Sequence, residues 1–448
     1  MKLIVPRVKT HPILLTLQSF LTPFETLDQL VEKYGEIFQT KVAGLPPTII
    51  LSHPEDIKTV VIGKSSLFDS GETNNLLEPF LGANSLLLLD GEAHQQRKKI
   101  LNPPFARDAI HHYGEIIERN TAELLGIWRQ HQPLLVCASM RELSLQIILQ
   151  IIWDLEKEDF FKIKALIIQW LSLFSSPLTA SIFFFPQLRQ DWGRWSTWGR
   201  FLRLRTQIDK FIYQKIAEKR NQKLEEFSLL SWLLAAQYED GSTLTDQEIR
   251  NELITLLFAG HETTAAALSW GLYWIHHQPE VKEKLLEELS AFRDNFDLDQ
   301  IAKLPYLTAT CQEILRIYPI NLMAEGRILK KSLTLRNYEF QPGDTFMPCI
   351  YLLHQREDLY PNPQQFKPER FLERKYSPFE YLPFGGGNRL CLGIHLALFE
   401  MKIVLAYILL TWELKSAQKR EIKPVRRGTV MTPPDSFKLI PIKPRKRP

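Results

Sequence analysis

The residues best suited to chemistry lie near the C-terminus, in the run Phe384-Gly-Gly-Gly-Asn-Arg389-Leu-Cys391-Leu-Gly393. An apolar stretch begins near Ile394, so Cys391 stands just before a predicted helix N-terminus, where the dipole and free N–H groups favour a thiolate. Three consecutive glycines allow the backbone to approach a flat ligand. No Gly-Lys-Ser/Thr follows, which argues against a phosphate cradle. The loop therefore predicts an anionic sulfur ligand for a metal, with a plain turn as the alternative.

A second unusual stretch, Ala259-Gly260-His261-Glu262-Thr263-Thr264, lies at the centre of a long helical pattern. Glycine costs about 1 kcal/mol in a helix interior, so helix stability does not explain its presence. Thr263 is placed to hydrogen-bond the carbonyl of Ala259 and open the turn, and Glu262 is placed to relay protons. Taken alone, a surface carboxylate and a helix-stabilising threonine are the simpler interpretation.

Together these stretches resemble the cytochrome P450 family. The first satisfies its Phe-Gly-x-Gly-x-Arg-x-Cys-x-Gly pattern at every fixed position, and the second is similar to its Ala-Gly-x-(Asp/Glu)-Thr motif. The resemblance implies haem b (iron protoporphyrin IX) with Cys391 as the metal ligand. It also implies that Thr263 and Glu262 are catalytic and deliver protons during O₂ activation. Further residues that it places around the haem are Phe384, Arg389, Gly393, Ala259 and Gly260.

A third pattern, Glu313-Ile-Leu-Arg316, puts opposite charges at i and i+3 on one helix face. Taken alone it is an everyday surface ion pair. It is similar to the Glu-x-x-Arg of the same family, which implies a buried pair completed by an arginine of a Pro-Glu-Arg-Phe stretch, here Arg370. We assign Glu313, Arg316 and Arg370 to structure rather than to catalysis.

The basic residues expected to bind the haem propionates depart from the family pattern. Its Trp-x-x-x-Arg falls on His94 and Lys98, which lie one helical turn apart. Lysine lacks the bidentate geometry of arginine, so Arg97 is an alternative partner. Arg327 resembles a further propionate arginine of the family. The flank formed by residues 97–99 is expected to lie exposed near the cysteine, where an acidic electron donor could dock, although a solvated helix face explains it too.

The substrate pocket implied by the resemblance is apolar, which suits a hydrophobic molecule, although core packing explains each residue equally well. The run Trp192–Phe201 is similar to a segment of cyanobacterial P450s associated with long-chain fatty acids, alkanes and terpenes. The sequence does not reveal which basic residue would anchor a fatty-acid carboxylate. The expected pocket residues are Leu76, Leu77, Phe80, Leu81, Phe258, Ala259, Leu322 and Met323, with Leu173, Phe174 and Phe183 added by an apolar connection.

The activity implied is O₂-dependent hydroxylation. Electrons are expected from a separate ferredoxin and its reductase, because no flavin or nicotinamide domain fits beside a haem domain in 448 residues. A haem-thiolate isomerase or peroxygenase is an alternative, but such enzymes commonly lack the acid–alcohol pair. A non-catalytic haem-based lipid binder is a further alternative.

The elements that must position these residues are mainly helical. Apolar residues recur at spacings of three and four over 112–153 and 204–234. A capping box of Thr245 and Glu248 predicts the start of the long helix, which can run to His277. A hairpin over 38–52 and strands within 332–346 complete the prediction. The resemblance implies a mainly α fold with small β-sheets, with the haem between the long central helix and the helix after the cysteine loop.

Composition agrees with one large globular domain over residues 1–448. Hydrophobic residues make up 45% of the chain and charged residues 24%, and the formal net charge is +4. The basic tail from Lys443 to Arg447 lacks interleaved aromatic residues, so a solvated terminus is expected rather than a nucleic-acid site. The four cysteines form no CxxC pair, which argues against disulfides and structural zinc.

The same sequence predicts a soluble, cytoplasmic, monomeric bacterial protein. Charged and polar residues interrupt the apolar N-terminus, so neither a signal peptide nor a membrane span is expected there. Residues Ile13 to Phe24 allow at most peripheral membrane contact. The apolar stretch Leu396 to Trp412 is interpreted as a buried core helix.

Overall fold

Helices make up most of the protein, and its strands are short, as the sequence predicts. The computed structural model describes residues 4–153, 155–173, 182, 185–221, 228–418 and 420–445. Phe174 and Phe183, expected near the substrate, lie outside the described residues, as do Lys446 and Arg447 of the basic tail.

The helices and strands alternate irregularly along the chain. The helices are α1 (Pro12–Leu21), α2 (Pro23–Tyr34), α3 (Pro54–Val61), α4 (Glu78–Leu81), α5 (Gly91–Leu101), α6 (Gly114–Gly126), α7 (Val136–Ile152), α8 (Lys157–Ser172), α9 (Thr197–Arg220), α10 (Leu229–Ala235), α11 (Asp246–His277), α12 (Pro279–Glu288), α13 (Leu298–Ile301), α14 (Pro305–Ile317), α15 (Ile350–His354), α16 (Arg370–Glu373) and α17 (Ile394–Thr411). The strands are β1 (Ile37–Thr40), β2 (Thr48–Leu51), β3 (Phe68–Asp69), β4 (Leu134–Leu135), β5 (Arg327–Leu329), β6 (Leu333–Leu335), β7 (Tyr338–Phe340), β8 (Thr345–Pro348), β9 (Trp412–Ser416), β10 (Val425–Arg427), β11 (Val430–Thr432) and β12 (Lys438–Pro444).

Helix α11 is the central element, buried along most of its length. The Glu248 amide donates to the Thr245 hydroxyl at 3.2 Å, and the Thr245 amide donates to the Glu248 carboxylate at 2.8 Å. This reciprocal pair satisfies two free donors of the first turn and confirms the predicted capping box. The helix ends at His277, as predicted, just ahead of Pro279. Helices α7 and α17 pack against it and hold it in place.

The largest sheet joins early and late parts of the chain in the order β1-β2-β8-β5-β3. Its β1–β2 hairpin is antiparallel, with Ile37 opposite Leu51, which confirms the hairpin predicted over 38–52. Strand β2 then pairs in parallel with β8. A second sheet, β4-β12-β9, joins the middle of the chain to its C-terminal strands. These pairings tie distant segments into one framework.

Helix α17 is the one described helix long and apolar enough to cross a membrane, but 67% of it is buried inside the protein. It packs on α6 and α11, so the prediction of a core helix is confirmed. Cys137, Cys311 and Cys349 are likewise buried, as expected of core residues. Burial raises the pKa of the Cys311 and Cys349 thiols to about 12, which keeps them protonated.

The N-terminal helix α1 has an exposed apolar face, formed by Ile13, Leu14, Leu17 and Leu21, each at least half exposed. Phe24, by contrast, is 8% exposed, and its ring meets that of Tyr351 edge-on at 4.5 Å. Residues Ile13 to Phe24 were expected to allow at most peripheral membrane contact. This is wrong for Phe24, because its side chain belongs to a buried core cluster.

Candidate active site

A cavity of about 470 Å³ lies between α11 and the loop that precedes α17. Cys391 and Gly393 line it on one side, and Ala259, Gly260 and Thr263 line it on the other. Two sequence stretches more than 100 residues apart therefore meet across one space. This is the arrangement expected for a flat ligand held between the central helix and the cysteine loop.

The cysteine loop owes its shape to contacts with α3. Gly385 and Gly387 have φ of +64° and +61°, and a Cβ on Gly387 would lie 2.1 Å from the carbonyl oxygen of Val61. A Cβ on Gly386 would lie 2.7 Å from the Val61 side chain. Backbone conformation and packing on α3 therefore require these glycines, and Gly385 also lines the cavity, where a flat ligand was expected.

The Cys391 side chain is open to the cavity rather than to bulk solvent. Its amide donates to the Phe384 carbonyl at 3.0 Å, which closes the loop. Burial raises the pKa of the Cys391 thiol, whereas the Gly393 amide and the Lys98 ammonium act to lower it. A metal that replaces the thiol proton would gain a ligand already positioned at the helix N-terminus.

At the centre of α11, the Thr263 hydroxyl donates to the Ala259 carbonyl at 2.6 Å, the hydrogen bond that the sequence predicts. Glu262 also lines the cavity, and its carboxylate lies 3.5 Å from the Arg427 guanidinium of β10. Gly260 lines the cavity, as expected, and a Cβ there would also meet Ile148 of α7 at 3.0 Å. This glycine allows α7 to approach closely.

His94 and Lys98 of α5 both line the cavity. The Lys98 ammonium donates to the carbonyls of Asn388 and Leu390, at 2.7 and 3.3 Å, and no carboxylate of the described residues lies within ion-pair distance of it. Burial and the charges of Arg389 and Lys98 lower the pKa of His94 to about 4, so the imidazole is neutral near pH 7. One edge of the cavity thus presents an ammonium and a neutral imidazole.

Arg97 does not reach this cavity and is excluded as an alternative to Lys98. Its side chain is 3% exposed, and it pairs with Glu248 and, at 2.7 Å, with Glu252 of α11. The prediction that residues 97–99 form an exposed basic flank is therefore wrong for Arg97. Lys99 is exposed, but its ammonium lies 2.5 Å from the Glu239 carboxylate, which neutralises part of the patch.

Two further arginines were expected at the haem, and their surroundings differ. Arg389 lines the cavity but already pairs with Asp90 at 2.6 Å and with Glu325 at 3.5 Å. Arg327 is buried and does not itself line the cavity, and it donates to the carbonyls of Glu325, Gly326 and Gly386. Its role at a propionate stays a prediction.

The Glu313–Arg316 ion pair is fully buried, with N–O distances of 2.6 and 2.8 Å. Arg370 joins it at 3.1 Å from the Glu313 carboxylate. Arg316 also donates to the His354 carbonyl at 3.0 Å, and the His354 ring accepts from the Leu382 amide at 2.9 Å. The ion pair is thus connected through α15 to the start of the cysteine loop.

His354 was not singled out in the sequence, although it is the link between the ion pair and the loop. Burial and the nearby Arg316 charge lower the pKa of His354 to about 3, so the ring stays neutral and keeps Nε2 as an acceptor. Its ring stacks on Tyr381 at 5.5 Å. Nothing in the local sequence around His354 indicates that it links the ion pair to the cysteine loop.

The substrate-side wall is largely apolar, but three expected residues are absent from it. Leu81 is fully buried in the core, and Leu322 packs in a separate cluster with Phe24. Asn321 and Met323 line the cavity, so Leu322 faces the opposite side of this extended segment. Leu173 is also a core residue. The expected residues found in the wall are Leu76, Leu77, Phe80, Phe258, Ala259 and Met323.

Glu400 of α17 is a polar wall residue that sequence reasoning missed. It is 4% exposed, and its Oε1 has no hydrogen-bond partner among the described residues. Burial raises the pKa of the Glu400 carboxyl to about 8, although the Ser144 hydroxyl acts to lower it. The signal available in the sequence was a single carboxylate within an apolar helix.

These groups fit the haem that the cysteine pattern implies. A thiol faces the cavity, an ammonium without an acidic partner suits a propionate, and a Cβ on Gly393 would meet nothing within 4 Å. The last observation leaves space for a flat ring beside the sulfur. Within the part of the chain described, no group of three or more His, Cys, Asp or Glu side chains could hold a metal ion by itself.

Comparison with known proteins decides the family. The family model for cytochrome P450 matches residues 6–441. The chain is a cytochrome P450. It is 35% identical over 405 residues to cytochrome P450 135B1 of Mycobacterium tuberculosis, covering 90% of this chain and 83% of the relative. Cytochrome P450 138 of the same species is 30% identical over 416 residues, covering 92% and 90%.

The fold is that of a solved P450 as well. The structure described as retinoic acid-bound cyanobacterial CYP120A1 superposes with a TM-score of 0.85, at 23% identity, over 98% of this chain and 99% of that one. Membership makes the protein a haem b-dependent haem-thiolate monooxygenase that needs a redox partner and binds a hydrophobic substrate. The implied haem and P450 fold are therefore confirmed.

Proposed function

We propose that this P450 hydroxylates a long-chain fatty acid, an alkane or a terpenoid, with O₂ and two electrons from a ferredoxin-type donor. The observation that carries the proposal is the cavity itself, which joins Cys391 to the Ala259–Thr263 segment and is otherwise walled mainly by apolar side chains. An apolar wall with a few convergent polar groups is typical of a site for a hydrophobic molecule.

Cys391 would ligate the haem iron through its sulfur, with Phe384 and Gly393 beside it. Bound haem supplies the binding and activation of O₂. His94 and Lys98 are the proposed propionate partners, since both line the cavity and neither has an acidic partner within the described residues. Arg389 is the weaker candidate because Asp90 already neutralises it.

Thr263 and Glu262 are the proposed proton-delivery residues. The Thr263 hydroxyl donates to Ala259 and can accept a further hydrogen bond from water in the cavity. Glu262 lies next to it, a quarter exposed, in a salt bridge with Arg427. A carboxylate between solvent and cavity can accept a proton from one and pass it to the other. This pair favours a monooxygenase over an isomerase or a peroxygenase.

The apolar wall and the structural neighbour support these substrate classes. CYP120A1 is described with bound retinoic acid, a long apolar molecule that ends in a carboxylate. Such a molecule suits the combination of apolar walls and a few cations in this cavity. The neighbour is 23% identical, so it supports a class of ligand and not an individual compound.

The chain is further proposed to act as a single domain, and as a cytoplasmic monomer. The family model takes up residues 6–441, which supports one haem domain over this stretch. The apolar helix α17 is mostly buried in the core, which supports a protein that does not span the membrane.

The direct test is turnover of the haem-loaded protein with ferredoxin, its reductase and a panel of fatty acids, alkanes and terpenes. Hydroxylated products that require O₂ and the electron donor are expected. Product formed with peroxide alone, or a rearranged product formed without electrons, would contradict the proposal and favour a peroxygenase or an isomerase. Binding without turnover of any compound would favour a haem-based lipid binder.

A further inference from the structure

Arg426 of β10 differs from the other cations in the cavity wall. Its Nε is buried and has no hydrogen-bond partner among the described residues, and none of their carboxylates lies within ion-pair distance of it. Burial lowers the pKa of the Arg426 guanidinium, and no neighbouring charge offsets the effect. Arginine nevertheless stays protonated in proteins, so this is a desolvated positive charge without a counter-charge.

The adjacent arginine, Arg427, has acidic partners, so the lack of a counter-charge is specific to Arg426 and not general to the β10–β11 hairpin. The Arg427 guanidinium lies 3.5 Å from the Glu262 carboxylate and 3.2 Å from that of Asp435. Arg389, another cation of the wall, pairs with Asp90. Lys98 is bound by two carbonyls at the proposed propionate edge. Arg426 has neither an acidic partner nor a carbonyl acceptor within the described part of the chain.

The surroundings of Arg426 are apolar. The ring of Phe20 in α1 lies 5.5 Å from the guanidinium carbon and supports it by a cation–π contact. Phe20 itself lines the cavity, as does Val430 across the β10–β11 turn. A planar cation in an apolar wall suits one kind of ligand, an anionic group attached to an apolar body. Its two parallel N–H donors match a carboxylate.

We propose that Arg426 binds the carboxylate of a long-chain acid, and that this P450 therefore prefers apolar carboxylic acids to alkanes and neutral terpenoids. The inference rests on the proposed function and narrows it to one substrate class. With the carboxylate fixed at β10, the apolar chain occupies the remaining cavity, so the position that is oxidised lies on that chain.

The test compares ligands of equal chain length by isothermal titration calorimetry on the haem-loaded protein. The probes are dodecanoic acid, methyl dodecanoate and dodecanol, at a pH where the acid is ionised. Wild-type protein is expected to bind the acid about 10-fold or more tightly than either neutral compound, since a charge-assisted bidentate contact is lost in both. The substrate-induced spin shift gives a second readout.

Variants identify the residue. Arg426→Ala is expected to weaken binding of the acid by about 10-fold or more and to leave dodecanol binding unchanged. The affinity of Arg426→Lys for the acid is expected to lie between those of the wild type and Arg426→Ala, because lysine keeps the charge but loses the planar guanidinium. Lys423→Ala is the control, since Lys423 is an exposed cation of the same segment that pairs with Glu25 outside the cavity wall.

Folding of the variants is checked by far-ultraviolet circular dichroism and haem content, and Arg426→Gln serves if the alanine variant does not fold. Equal affinity of the wild type for the acid and dodecanol would overturn the inference and leave the proposed function standing. Unchanged acid binding by whichever of Arg426→Ala and Arg426→Gln folds would do the same. If none of the apolar probes, acidic or neutral, bound to wild type, both would be overturned.

Discussion

Arg97, Lys98 and Lys99 are adjacent in α5, yet burial and neighbouring charges give each a different role. Arg97 is buried in an ion pair with α11, Lys98 faces the cavity, and Lys99 is exposed beside Glu239. Their order in the sequence shows only that cations lie on successive positions of a helix. Their contacts separate a structural residue from a candidate cofactor ligand.

Thr263 provides the first prediction at the residue scale. Thr263→Ala is expected to lower the hydroxylated product formed per electron pair by about 10-fold or more, because positioned proton transfer contributes about 10²–10⁴-fold to a rate. Thr263→Ser keeps the hydroxyl and is the matched control. The ratio of product to electrons consumed is the measurement, and an unchanged ratio in the alanine variant would contradict the assigned role.

Glu400 provides a prediction about pH. Burial raises the pKa of its carboxyl from 4.5 to about 8, so between these values the folded protein holds one proton more than the unfolded chain. The contribution of Glu400 to the free energy of unfolding is therefore expected to fall as the pH rises from about 5 to 8. Glu400→Gln removes this contribution, so the difference in the free energy of unfolding between the variant and the wild type is expected to change over this range.

The measurement is chemical denaturation of the haem-loaded protein at several pH values across that range. The exposed Glu123→Gln variant is the control and should follow the wild type. A Glu400→Gln variant with the same pH dependence as the wild type would show that the carboxyl is not held protonated by the fold.

Residue types and local spacing predicted those parts of the site whose residues all lie within one short stretch of sequence. The Thr263–Ala259 hydrogen bond follows from the i,i+4 geometry of a helix, and Cys391 stands in a short contiguous pattern. The position of Leu322 was predicted wrongly because it depends on a distant partner, Phe24, and the contact of Gly260 with Ile148 was not predicted for the same reason. Spacing along the chain does not contain those partners.

At the element scale, a chain of contacts connects helix α14 to the cysteine loop. The Glu313–Arg316 pair binds the carbonyl of His354, whose ring accepts from Leu382 two residues before Phe384. A displacement of α14 would therefore be transmitted to the loop that presents the cysteine. The ion pair matters for the site through position and not through contact with the cavity.

Arg316→Ala tests this connection. Removing one partner of a buried pair leaves an uncompensated charge, at a cost of roughly 3–5 kcal/mol. We expect loss of haem incorporation, measured as haem bound per protein chain. Lys330→Ala, which breaks the partly exposed pair with Asp69, is the control and should cost about 1 kcal/mol or less. Normal haem content in Arg316→Ala would refute the structural assignment.

Elements with strong local signals were predicted closely. The capping box marked the start of α11, its predicted end at His277 is confirmed, and the β1–β2 hairpin lies close to the predicted range 38–52. The parallel pairing of β2 with β8 was not predicted, since it joins residues about 300 positions apart and depends on the complete fold. The same holds for the contact between the cysteine loop and Val61.

On the scale of the whole molecule, the sheets pair strands from distant parts of the chain. Strand β2 near the N-terminus pairs with β8, and β4 in the first third pairs with the C-terminal β12. Helix α11 packs against elements from both sides of it in the sequence, including α7 and α17. This connectivity favours one cooperative unit over two separable domains.

A single unfolding transition is therefore expected for the haem-loaded protein. Far-ultraviolet circular dichroism and haem absorbance should give coincident transitions in denaturant, because loss of either the helical or the sheet contacts releases the cavity walls. Two separated transitions in circular dichroism would contradict the single domain proposed over residues 1–448.

Ligation of the haem iron by Cys391 underlies every role proposed for this site. The most direct test is the carbon monoxide difference spectrum of the reduced, haem-loaded protein. We predict a band at the position typical of thiolate ligation in the wild type and its loss in Cys391→Ala. A band at the position typical of histidine ligation in the wild type, or a thiolate band that persists in Cys391→Ala, would contradict it.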